Sequence, residues 1–278
     1  MWIDSHCHLD APEFDADRAA IWNAAREAGV TAMLTPAVSL PDCAAVADCC
    51  RQHSGVVPAY GIHPLHVDQA READLAMLDA LLARARPVAV GEIGLDGYVR
   101  NLDVARQEWF FSEQLKRARD FDLPVILHVR HAVDAVLKHL RRIRVKGGIA
   151  HAFNGSCQQA KEFLKLGFRL GFGGSLTFPG STRIRRLAAE LPEEALVLET
   201  DAPDMPPFWR RGQRNAPAEL PAIGAVLAEL RGTTPEAVAA FTRANTRAAL
   251  PGWDSWQPSP KPLRAILPDA PAASFPIP

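Results

Sequence analysis

Short apolar runs alternate with amphipathic stretches along most of the chain. The apolar runs cover residues 2–8, 31–36, 56–61, 88–92, 125–128, 148–151, 168–172 and 195–199, and several are rich in Val, Ile or Leu. Strands covered on both faces read this way, because neither side needs polar residues. The intervening stretches carry helical periodicity. Leu75, Leu78 and Leu82 share one face, as do Phe111, Leu115 and Ala118. Gly29, just before the second run, reads as a helix C-terminal cap, and Pro87 and Pro124 mark helix-to-strand joints. Eight such alternations with short joints predict an α/β fold, a (β/α)₈ TIM barrel. A doubly wound open sheet is the competing architecture. It would need a Gly-x-Gly-x-x-Gly turn after a strand, and Gly171, Gly173 and Gly174 lie too late and too close to their own strand to supply one. The pattern fades after Pro251, so a barrel domain over 1–250 is expected. Residues 251–278, rich in Pro and Ala, are expected to form an extended tail over or beside it.

Composition narrows the partners. The 278 residues are 48% apolar and 23% charged, with a net charge of −1. A surface that is not basic overall can hold nucleic acid only through local arginines or bound cations. Five cysteines, including adjacent Cys49 and Cys50 but no Cys-x-x-Cys, suggest reduced thiols and a cytoplasmic setting. No secretory leader and no run of membrane-spanning length is read, so no membrane partner is expected.

The polar residues at the ends of the predicted strands carry the chemistry. Asp4-Ser-His6-Cys-His8 opens the chain, and on an extended backbone His6 and His8 face one side with Cys7 on the other. His63, Glu92, His128, His151 and Asp201 occupy the corresponding ends of later strands. In a barrel these positions converge on one rim, the rim where chemistry sits. Two cations about 3.5–4 Å apart would acidify a bridging water and clamp the substrate's oxygens. Such a pair needs a bridging ligand with two oxygens, which Glu92 can be and a histidine cannot. His6, His8 and Asp201 then complete one ion's shell, and His128 and His151 the other's. Asp201, beside the bridging water, is also placed to take its proton.

The segments Asp4-Ser-His-Cys-His-Leu-Asp10, Gly61-Ile-His-Pro64, Gly91-Glu-Ile-Gly-Leu-Asp96, Leu127-His-Val-Arg130, His151-Ala-Phe-Asn-Gly155 and Glu199-Thr-Asp-Ala-Pro203 resemble the TatD family of metal-dependent deoxyribonucleases. They occur in the family's order, and Asn245-Thr-Arg247 extends the likeness towards the tail. The resemblance implies a distorted TIM barrel of the amidohydrolase type with two divalent metals. It also implies phosphodiester cleavage in DNA, of the 3′–5′ exonuclease type. Glu199-Thr-Asp-Ala-Pro-Asp-Met-Pro206, with Leu-Gly-Phe ahead of it, is most similar to the less characterised branch labelled only "metal-dependent hydrolase". In the family's pattern His63 lies near the metals without ligating them, where it would assist a leaving group or contact substrate. Two positions depart from the pattern. Arg214-Asn215-Ala216-Pro217 lacks the glutamate that many members carry before the proline, and Asp204 stands where many have an aromatic residue.

Around this core, Arg130 follows His128 by two and faces the same side, where it binds a substrate phosphate or pairs with a neighbouring acid. Arg210, Arg211 and Arg214 cluster after the last strand; they hold a nucleic-acid backbone or form a solvated charge run. Arg183, Arg185 and Arg186 read as a solvated helix face. Trp209 stacks an unpaired base or packs its own loop. Histidine-rich shells suit Zn²⁺, Mn²⁺, Co²⁺ or Ni²⁺ better than Mg²⁺, although the family resemblance implies magnesium activation. The expected partner is DNA, as single strands or strand ends, or a small phosphodiester, with no obligate protein partner. The alternative keeps the site and changes the bond to an ester, amide or aminoacyl linkage. The complete ligand set argues against a non-catalytic binding protein.

Overall fold

The computed structural model describes residues 1–259 and Leu263. Eight strands form one parallel sheet in chain order. They are β1 (Trp2–Asp4), β2 (Val30–Pro36), β3 (Val56–Tyr60), β4 (Ala89–Asp96), β5 (Val125–Arg130), β6 (Gly148–Ala150), β7 (Phe168–Phe172) and β8 (Leu196–Leu198). The helices between and after them are α1 (Arg18–Glu27), α2 (Asp42–Gln52), α3 (Ala73–Ala85), α4 (Val104–Asp120), α5 (Val133–Arg142), α6 (Cys157–Lys165), α7 (Thr182–Glu190), α8 (Leu220–Arg231) and α9 (Pro235–Ala249). This is the TIM barrel that the alternation predicts. Between β1 and β8 the ring is completed by individual bonds: Ser5 N–H donates to Leu198 O at 2.9 Å, and Thr200 N–H to Asp4 Oδ1 at 3.0 Å.

The strands sort their side chains into two apolar layers. Ile3, Leu34, Val57, Ala89, Ile126, Ile149 and Val197 fill the barrel interior. Trp2, Met33, Tyr60, Val90, Leu127, Leu170 and Leu198 point outward and pack against helices through residues such as Leu78, Phe111, Phe163 and Leu227. Both layers are buried, which is why the strands read as unbroken apolar runs. Two-residue alternation then sets the rim. His128 and Arg130 continue the inward row begun by Ile126, and His151 continues that of Ile149.

Two expected strand ends are corrected. β1 stops at Asp4, not at His8, because the Asp4 carboxylate accepts the His6 N–H at 3.2 Å and bends the chain there. β4 runs on past Glu92 to Asp96, pairing Gly94 with His128 and Asp96 with Arg130 of β5. At the other end of the barrel, Leu250 and Trp253 join the interior layer. A side chain at Gly252 would meet Val88, just ahead of β4. The first residues after α9 therefore close the floor, while residues 260–262 and 264–278 of the expected tail lie outside the described residues. No helix among the described residues is long and apolar enough to cross a membrane.

Candidate metal centre

His6 and His8 are delivered by a bent segment stitched to three neighbours. Cys7 N–H donates to Leu34 O, His8 N–H to Ala202 O, and the His6 carbonyl accepts Asp201 N–H, all at 2.8–3.0 Å. Their Nε2 atoms come within 3.2 Å of each other while the Cys7 thiol turns away to Ala202 O. Asp201 holds a left-handed backbone at φ 57°, which aspartate tolerates better than most residues. The same two turns place its Oδ1 3.4 Å from His6 Nε2 and 3.6 Å from His8 Nε2.

Glu92 occupies the middle of the group and is fully enclosed. Its Oε2 lies 3.2 Å from His6 Nε2 and 3.7 Å from His8 Nε2. Its Oε1 lies 2.9 Å from His151 Nε2, 3.0 Å from His128 Nδ1 and 3.3 Å from His63 Nε2. One carboxylate thus addresses two separate sets of ring nitrogens. The donor set suits divalent cations: imidazole nitrogens and carboxylate oxygens aim lone pairs at shared points with little water to screen them. Three groups of ligand atoms lie close enough together to hold a metal ion: His6, His8 and Asp201; His6, Glu92 and His151; and His63, Glu92 and His128.

Electrostatics follow from enclosure. Burial would push Glu92 up, but His151, His63, His6 and His128 together hold it well below the usual carboxylate range. Burial and the neighbouring His151 lower His6 to about 3, and burial lowers His8, so both rings are neutral and able to ligate. Asp201 is raised, by burial first and then by the like charges of Glu92 and Glu199, a cost that a nearby cation would reverse.

Several supporting residues escaped the sequence reading. Asp96 Oδ2 sits 2.9 Å from His128 Nε2, and its Oδ1 accepts the N–H groups of Tyr98 and Val99. Glu199, also buried, accepts Ala152 N–H beside His151. From α4, Gln114 bonds both the N–H and the C=O of Ile62, and Gln107 does the same for Asp96. These two amides imitate a neighbouring strand and fix the chain beside His63 and the end of β4. Two glutamines seven apart, on the face that carries Phe111 and Leu115, were the available signal. Asn245 donates to the carbonyls of Glu193 and Leu196, so that motif anchors the base of β8.

A cleft of about 660 Å³ opens beside the centre, lined by His128, Arg130, His151, Asp201, Asp204 and Met205 together with Arg183 of α7. Arg130 reaches it, its guanidinium 3.9 Å from the Tyr98 ring centroid. Arg214 does not line it. Its guanidinium pairs with Asp17 at 2.5 Å and lies over the Phe14 ring. Arg210 and Trp209 both bond Glu219.

The sequence profile of the family described as TatD related DNase matches residues 3–251. The chain belongs to the TatD family. It is 40% identical over 248 residues to "Uncharacterized metal-dependent hydrolase YjjV" of Escherichia coli, covering 88% of this chain and 96% of the relative. To the "3'-5' ssDNA/RNA exonuclease TatD" of Cronobacter sakazakii it is 35% identical over 252 residues, covering 87% and 95%. The crystal structure of E. coli YjjV superposes with a TM-score of 0.87 at 39% identity, covering 90% of this chain and 98% of that one. This TatD-family protein is therefore a metal-dependent hydrolase. Its departures from the family pattern fall at the cleft and the loop beside it. Asp204 lines the cleft, and burial raises it to about 6. Next to Ala216, Asn215 donates to the carbonyls of Thr200 and Asp204 and holds that loop in place.

Proposed function

We propose that this protein is a two-metal phosphodiesterase that cleaves nucleic acid, with single-stranded DNA ends as its substrate. The observation that carries the reading is the split of Glu92, whose Oε2 faces His6 and Oε1 faces His151 and His128. A carboxylate so placed can bridge two cations. Divalent cations bound there would supply charge neutralisation for the phosphoryl oxygens and acidify an attacking water. The chain's own residues do the rest. Asp201, the ligand most open to the cleft, accepts the proton of the attacking water at its carboxylate. His63, packed edge-on against His128, holds Glu92 Oε1, and Arg130 offers a guanidinium to a phosphate oxygen. The exonuclease name carried by the C. sakazakii relative supports the same bond type.

One observation favours a second reading, hydrolysis of a carboxylic ester, amide or aminoacyl bond. Asp204 places a carboxylate in the cleft that a phosphate backbone would have to pass. The test is a substrate panel with metal-loaded protein: end-labelled single-stranded and duplex DNA, RNA, and carboxylic esters. We expect stepwise shortening of single strands, abolished by chelation and restored by divalent metal. Glu92→Ala should remain folded and lose about three orders of magnitude in rate. Ester cleavage without nuclease activity would transfer the site to the second reading.

A further inference from the structure

The sequence reading treats Arg183 as part of a solvated helix face, yet the structure brings it to the cleft beside Arg130 and His151. Arg183 stands at the start of α7, and its Nε and Nη2 both donate to Asn154 Oδ1, at 3.0 and 2.8 Å. Asn154 also lines the cleft and follows His151 by three residues in the loop after β6. The choice of partner matters. Arg141, Arg210, Arg214 and Arg247 each end on a carboxylate, which cancels their charge. Asn154 is neutral, and no carboxylate among the described residues lies within ion-pair distance of Arg183. The amide therefore fixes the direction of the guanidinium without neutralising it. A guanidinium has five N–H donors and only two are spent on Asn154. The remainder form an oriented cationic fork at a cleft that already leads to the metal centre, and a fork of this geometry matches phosphate oxygens.

We propose that Arg183, oriented by Asn154, binds a second phosphate of the substrate strand, other than the one being cleaved. This rests on the phosphodiesterase reading and refines it: the cleft recognises a run of phosphates along one strand, not an isolated diester. Asn154 is a positioning residue, and Arg183 makes the contact. The arrangement also answers the objection from Asp204, since the strand is gripped by Arg130 and Arg183 while that single carboxylate is passed.

Steady-state kinetics of the metal-loaded full chain test this with two substrates, a short single-stranded oligodeoxynucleotide and bis(p-nitrophenyl) phosphate, which has a single phosphate. For Arg183→Gln the ratio of the oligonucleotide KM to the small-diester KM should rise about tenfold or more. The log–log slope of oligonucleotide KM against salt should become shallower by about 0.7, the release expected for one lost contact to a single strand. Arg183→Lys should keep the salt slope and recover part of the KM. Asn154→Ala should raise the ratio less, with the slope intact, because the charge remains. An unchanged ratio and slope in Arg183→Gln, with both substrates cleaved by the wild type, overturns the subsite alone. A wild type that cleaves neither phosphodiester but does cleave a carboxylic ester overturns the phosphodiesterase reading and the subsite with it.

Discussion

Asp96 presents its Oδ2 to Nε2 of His128 at 2.9 Å, on the side of the ring away from Glu92. The contact fixes the tautomer. With the proton on Nε2, held by the carboxylate, Nδ1 keeps its lone pair for a cation. Asp96→Asn preserves the shape and the loop bonds but presents an amide donor to the same nitrogen, favouring the wrong tautomer. Metal affinity should fall about 10–100-fold with the melting temperature little changed. Titration of chelated protein with Zn²⁺ or Mn²⁺ measures it. An affinity equal to that of the wild type removes Asp96 from the centre.

His63 should affect rate without affecting metal content. Its Nδ1 accepts Leu65 N–H at 3.1 Å, so a neutral ring carries its proton on Nε2 and donates it to Glu92 Oε1. Burial lowers the ring to about 4, which keeps it neutral near pH 7. A nitrogen that holds a proton cannot ligate. His63→Ala should retain its full complement of metal by elemental analysis and lose roughly tenfold to a hundredfold in kcat. His128→Ala, run in parallel, should lose metal. Loss of an equivalent from the His63 variant would make His63 a ligand.

Metal affinity should rise with pH. Burial lowers His151, but Glu92 outweighs it and carries the ring up to about 10. His128 is raised as well, with Asp96 and Glu92 prevailing over burial. In chelated protein the His151 ring is therefore protonated at neutrality, His128 holds its proton more tightly than a free imidazole does, and a ligating nitrogen must give its proton up. The sign is fixed by that competition: a higher pH favours the metal. Binding near pH 7 should release about one proton or more per chain, that of His151 first, detected calorimetrically in buffers of different ionisation enthalpy. Affinity independent of pH, with no proton released, contradicts it.

Gly171 should resist substitution because of what stands beside it. A Cβ there would lie 2.1 Å from Glu199 Oε2, and one at Gly173 would lie 2.9 Å from the Glu199 carbonyl oxygen. Gly171→Ala should cost about 1–3 kcal/mol, read as a lower midpoint in denaturant unfolding. Combining it with Glu199→Ala should recover part of that loss. Strict additivity of the two changes would place the strain elsewhere.

The order of elements and the convergence of polar strand ends on one rim are legible in the one-dimensional pattern. Both layers of the barrel are apolar, so each strand stands out as a continuous run, and a polar residue at a strand end is marked against that background. Glu92, His128 and His151 were found this way, and their rings and carboxylate meet within 3.4 Å of one another. Local hydrogen bonds were less visible. Asp4 bends the chain before His6, so the two N-terminal histidines converge through contacts with Leu34 and Ala202, not through strand alternation. Charge on a long side chain was least legible of all. Arg214 and Arg183 look alike in sequence, but a guanidinium lies several bonds from its backbone and goes where a partner holds it. Asp17 takes the first away from the cleft, and Asn154 keeps the second in it. Side chains close to the backbone are placed by the period of their own element; those with long reach are placed by residues distant in sequence, and these only the folded chain brings near.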